Sequence, residues 1–201
     1  AITTGDENTA LGYGAGKAIT TGGNNTLVGA SCGDATTTAS DNTAMGVSAF
    51  GSNTTGANNV AVGRAALFAN TTTNNNTAIG YQALQDNTAS DNTALGYGTL
   101  KENTTGTRNV AVGALALDAS TTSSNHTAVG YLALSANTTG DDNTAVGTYS
   151  LDANTTGDKN TAVGAAALSA NTTADKNTAL GYSALAGCTT GADNVAVGAF
   201  A

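Results

Sequence analysis

The chain is 201 residues long with a net charge of −8, and Ala, Thr, Gly and Asn make up nearly two thirds of it. Six Lys and Arg stand against fourteen Asp and Glu, too few cations for a phosphate backbone, which excludes nucleic acid as a partner. Pro is absent, Gly does not recur at every third residue, and no apolar run approaches the ~18 residues of a membrane span, so collagen and membrane insertion are excluded too.

One motif runs through the chain. In order it reads NTAL (8–11), NTLV (25–28), NTAM (42–45), NVAV (59–62), NTAI (76–79), NTAL (92–95), NVAV (109–112), HTAV (126–129), NTAV (143–146), NTAV (160–163), NTAL (177–180) and NVAV (194–197), each closed by a Gly. Ten of the eleven Gly-to-Gly intervals are 17 residues and one is 16; the missing residue falls in the loop at 87–92. Length varies in the loop and never in the motif, as in a structural repeat.

Each motif is predicted as a short strand. Val60 and Val62 alternate to one side, Ala61 and Gly63 to the other. A second strand is predicted after the Gly, as in YQAL (81–84) and YLAL (131–134), and an Asn-Thr-Thr-Gly-like loop completes the unit, as at 53–56 and 154–157. A helix is disfavoured by ~1 kcal/mol for each Gly and several tenths for each Thr or Asn. The fold class is therefore all-β: a parallel β-solenoid of twelve rungs of about 17 residues, roughly 55 Å long at the ~4.8 Å strand spacing. Two large apolar residues per rung, the one before the Gly and the Leu after it, make a thin core. The flat Ala/Gly side is expected to pack on another copy, with three coils around an axis thickening that core.

The segments NNVAVG (58–63), RNVAVG (108–113), DNVAVG (193–198) and NNTAIG (75–80) resemble the head repeats of YadA-like trimeric autotransporter adhesins. The longer unit at 76–100 resembles repeat arrays of bacterial and phage tail-fibre-domain proteins. The resemblance implies a left-handed β-roll and a homotrimer; the repetitive polar Asn/Thr loops suit an extracellular place on a cell or virion surface, with glycans or a host surface as partners. The 17-residue period departs from the usually shorter adhesin head repeat.

The whole of 1–201 reads as a single repeat domain. AITTG at 1–5 repeats at 18–22, and Ala201 stops inside a repeat. With no polar cap in sight, the chain is expected to be a segment of a longer fibre or a subunit stacking end to end.

Candidate sites divide by chemistry. The column Asn8, Asn25, Asn42, Asn59, Asn76, Asn92, Asn109, Asn143, Asn160, Asn177 and Asn194 is expected to be a structural hydrogen-bond ladder, with His126 as a substituted rung. Asn53, Asn70, Asn103, Asn137, Asn154 and Asn171 stand in Asn-x-Thr acceptors, hence possible glycosylation sites, although the same residues suit turns. The loop Thr-Thr pairs raise ice binding as an alternative, but adjacent Thr residues alternate faces if extended. Cys32 takes a small core slot and Cys188 a loop slot, too many rungs apart for a disulfide. Asp86, Glu102, Asp118 and Asp152 stand just ahead of the loop Asn as an acidic edge. Tyr13, Tyr81, Tyr97, Tyr131 and Tyr182 are expected to form a partial ladder that packs under a neighbour or stacks on sugars. No catalytic pair, metal cluster or cofactor fingerprint stands out. The sequence points to a non-enzymatic extracellular fibre subunit with an adhesive, repetitive polar surface; the alternatives are a phage tail-fibre shaft, an ice-binding solenoid and a head-to-tail filament.

Overall fold

The computed structural model describes residues 4–201, so the first letters of the AITTG segment lie outside the described residues. Twelve three-residue strands follow one another: β1 (Thr9–Leu11), β2 (Thr26–Val28), β3 (Thr43–Met45), β4 (Val60–Val62), β5 (Thr77–Ile79), β6 (Thr93–Leu95), β7 (Val110–Val112), β8 (Thr127–Val129), β9 (Thr144–Val146), β10 (Thr161–Val163), β11 (Thr178–Leu180) and β12 (Val195–Val197). They form one sheet in sequence order. Every neighbouring pair is parallel and in register, Ala61 on Ala78 and Ala78 on Ala94, and the 16-residue repeat leaves the register unchanged. The chain is a β-solenoid in which each repeat is one coil.

The core differs from the one expected. The middle strand residue, Ala in eleven of the twelve strands, points inward and is buried from β3 to β11; Val62, Ile79 and Leu95 point outward. Pleating allows only one side in, and a coil this narrow admits Ala there more readily than a branched side chain. The Ala side is thus spent inside the coil and is not a face for another copy. What completes the core is the pair after the Gly: Ala66 and Leu67, Ala83 and Leu84, Ala116 and Leu117, all fully buried. Each buried Leu contributes about 1.5–3 kcal/mol.

The predicted second strand is replaced by two stacked turns. Ala66 N–H donates to Gly63 O and Asn70 N–H to Leu67 O, while Ala65 and Leu67 have φ of +57° and +49°. Two consecutive inward residues explain the change, because a strand would send one of them out. The remaining backbone groups bond along the stack in both directions, Ala65 N–H to Val47 O and Leu67 N–H to Ala83 O.

Glycine at the end of each strand is obligatory. At Gly46, φ is +137°, and a Cβ would lie 2.6 Å from Gly63 O and 2.7 Å from Gly63 C. The column lets one coil sit flat on the next.

Candidate functional site

The Asn column forms the ladder expected of it, and its geometry is unbroken. Each Oδ1 accepts the backbone N–H of the next member: Asn8 from Asn25, Asn25 from Asn42, Asn42 from Asn59, and so on to Asn177 from Asn194, at 2.9–3.1 Å. From Asn8 to Asn177 each Asn Nδ2 donates to a carbonyl 13 or 14 residues on, such as Asn42 to Gly56 O at 3.0 Å and Asn160 to Ala174 O at 2.8 Å, whereas Asn194 Nδ2 donates back to Asn177 Oδ1. Asn25 through Asn177 are buried, so both halves of each amide are consumed inside the rod. His126 takes its turn in the same ladder: its N–H donates to Asn109 Oδ1, and its Nδ1 accepts from Asn143 N–H at 3.1 Å. Burial holds the imidazole pKa below its ordinary 6.5.

A second ladder escaped the sequence reading. Asn53, Asn70, Asn103, Asn137, Asn154 and Asn171 are fully buried, and their Nδ2 groups donate to loop carbonyls such as Gly56 O, Gly106 O and Gly157 O. Asn154 also donates to Asn137 Oδ1, and Asn171 to Asn154 Oδ1, each at 2.9 Å. These six are not glycan acceptors on the folded chain, because a sugar on Nδ2 would have to occupy the core. The readable signal was their recurrence at one repeat position, shared with Asn87. Of the other acceptor triplets, Asn24 and Asn75 stay at the surface with left-handed φ.

The loop Thr hydroxyls are spent along the stack as well: Thr37 Oγ1 donates to Thr54 O, and Thr54 Oγ1 to Thr71 O, both at 3.0 Å. The second Thr of each pair, Thr55 or Thr139, faces solvent. Cys32 is buried, its thiol pushed up to about 11 by that burial, and Cys188 is half-buried; both are free. Among the described residues no three His, Cys, Asp or Glu side chains converge as a metal site.

The outer face of the sheet is an extended apolar surface that nothing in the chain covers. Its third-position column runs Leu11, Val28, Met45, Val62, Ile79, Leu95, Val112, Val129, Val146, Val163, Leu180 and Val197, without a polar interruption. Leu11, Met45, Ile79, Leu95, Leu180 and Val197 are 38–68% exposed. Beside it run Thr or Val at the first strand position, and beyond the Gly an aromatic column. Tyr81 and Tyr97 stack at 5.6 Å, and Tyr131 meets Tyr149 edge-on at 5.5 Å. The expected Tyr ladder is thus formed in part.

Comparison with protein-family models, with curated proteins and with solved structures finds no match to this chain. The surface therefore has to be read from its own chemistry.

Proposed function

We propose that the chain is a structural subunit of an extracellular fibre. In this reading it is a stiff, non-catalytic rod that joins copies of itself, three around an axis as the adhesin resemblance implies, through the outer sheet face. The supporting observation is the uninterrupted apolar column on twelve strands. Eleven steps of ~4.8 Å and a width of about four residues give a face of roughly 700 Å², close to the ~800 Å² per partner of a standard interface. The opposite loops carry exposed Thr, Asn and acidic side chains, which suit weak multivalent contact with glycans. A tail-fibre shaft would use the same construction.

Sedimentation of the purified chain tests the assembly. A trimer is expected, and Ile79→Lys with Leu95→Lys, both on exposed positions, should return it to monomers with the same circular dichroism. A monomeric wild-type chain at high micromolar concentration contradicts the reading.

Ice binding is a second reading, favoured by the strands rather than by the loop Thr pairs. Nine of the twelve strands present an outward Thr at their first position, two residues from a branched or apolar side chain, in perfect lateral register. Thermal hysteresis in the purified protein separates this reading from the first.

A further inference from the structure

A cluster of residues foreign to the repeat lines a groove on the surface. Both glutamines of the chain, Gln82 and Gln85, one of its two arginines, Arg64, and one of its three phenylalanines, Phe68, come together with Ser48, Ala65 and Tyr81 around a groove of about 230 Å³ that spans three coils. It lies beyond the strand-ending Gly, around the corner from the apolar sheet face. In a chain of which nearly two thirds is Ala, Thr, Gly and Asn, a chance gathering of its rare side chains is a poor account of such a site.

The groove has two aromatic walls and unused polar groups. Phe68 and Tyr81 are each 40% exposed. Phe68 lies against Gly51, whose missing side chain makes the room: a Cβ there would meet the ring at 3.0 Å. The Arg64 guanidinium carbon stands 5.9 Å from the centre of the Tyr81 ring, which orients the cation along the wall. Neither of the two ion pairs among the described residues uses Arg64. Among the described residues no hydrogen bond engages either glutamine amide, and Gln85 Oε1 is shielded from solvent without a partner, a costly state for an acceptor.

We infer that this groove binds a carboxylated pyranose, a single acidic sugar ring. The C–H face of such a ring packs on the exposed part of Phe68, while Tyr81, held between Arg64 and the stacked Tyr97, offers its exposed edge. The guanidinium is a planar fork that matches a carboxylate with two parallel hydrogen bonds. The Gln82 amide offers a donor and an acceptor together, the pairing that hydroxyls of a sugar require, and the Gln85 amide adds its donor. The volume suits one ring and not an extended chain. The inference deepens the glycan contact of the proposed function, but the groove lies within one chain and does not depend on assembly.

Saturation-transfer NMR on the intact chain, with glucuronate, N-acetylneuraminate and methyl glucoside as separate probes, tests it. Binding of either acid with weaker or no binding of the neutral glucoside is expected, and the stronger acid identifies the source. Arg64→Met should weaken that binding about tenfold, as should Tyr81→Ala, whereas Arg108→Met should leave it unchanged. The inference is overturned if neither acid binds in the tens-of-millimolar range, if Arg64→Met binds as well as wild type, or if Arg64→Met instead changes the sedimentation coefficient, which would make the groove a contact between copies. A monomeric chain that still binds the acid would sink the assembly reading and leave this site standing.

Discussion

His126 Nδ1 accepts the backbone N–H of Asn143 at 3.1 Å, in the place where every other coil uses an Asn side-chain oxygen. The ring substitutes for the amide only while Nδ1 is unprotonated. Protonation would set two donors against each other in a buried site.

The pH dependence follows from that contact. Burial lowers the folded pKa below 6.5, against the smaller raising influence of Asp141 and Asp142. The unfolded chain therefore takes the proton first, and this contribution to stability is complete above about pH 6.5 and shrinks as the pH falls below it, by at most ~1.4 kcal/mol per pH unit. Thermal melts from pH 7.5 to 5 should show the melting temperature of wild type falling and that of His126→Asn falling less. Asp118 and Asp152 are raised by burial, so their protonation stabilises the fold as pH drops through their range, the opposite sign. Equal slopes for wild type and His126→Asn would refute the role given to His126.

Gly46→Ala places a methyl against the Gly63 carbonyl at a φ that L side chains rarely adopt. Neither coil can yield without breaking register with its other neighbour. A loss of about 2–3 kcal/mol is expected in urea unfolding. Gly187→Ala, where a Cβ meets nothing within 4 Å, should cost far less, and near-equal losses for the two would count against the tight stacking.

The second ladder has gaps whose repair should be stabilising. Asn171 Oδ1 is buried without a partner because the next coil carries Cys188 where an Asn amide would donate. Cys188→Asn supplies that donor and should add about 1 kcal/mol. Asn103 Oδ1 is likewise unpartnered below Ser120. There Ser120 and Ser123 share a hydroxyl hydrogen bond at 2.6 Å, so Ser120→Asn should help only together with Ser123→Gly. Denaturation midpoints of the two single variants and the double variant measure this coupling; an additive result would argue against it.

Leu27 is the one non-Ala residue at the middle of a strand. It fits because its neighbours shrink: Gly16 and Gly33 replace the inward Leu of two coils, and a Cβ on Gly33 would meet both Leu27 methyls at 2.9 Å. Leu27→Ala should open a cavity and cost about 2–4 kcal/mol. A loss below ~1 kcal/mol would mean that the neighbouring coils collapse into the space.

The coil itself was legible because period and strand chemistry agree: the loop absorbs the one deletion, and NTAV-type segments can be little but short strands. The first Asn ladder was legible for the same reason. The inward face was misread because hydrophobicity ranks Val60 and Val62 above Ala61, whereas the interior of a 17-residue coil selects on volume. The turns after the Gly were misread because Leu67 and its equivalents sit at left-handed φ, which the residue type disfavours and only the stack imposes. The buried Asn53 series was misread because local turn chemistry and the Asn-x-Thr acceptor pattern use the same letters. The groove was invisible because Arg64, Phe68, Gln82 and Gln85 meet only when successive coils are laid on one another.

Each repeat is one coil laid directly on the last. Spin labels at Thr38 and Thr139, both on exposed loop positions, in a chain lacking Cys32 and Cys188 and diluted with unlabelled copies, measure it. Six coils separate them, so a narrow distance distribution near 29 Å is predicted at ~4.8 Å per coil. A broad distribution, or a narrow one displaced by more than about two coils, would contradict the stacked rod.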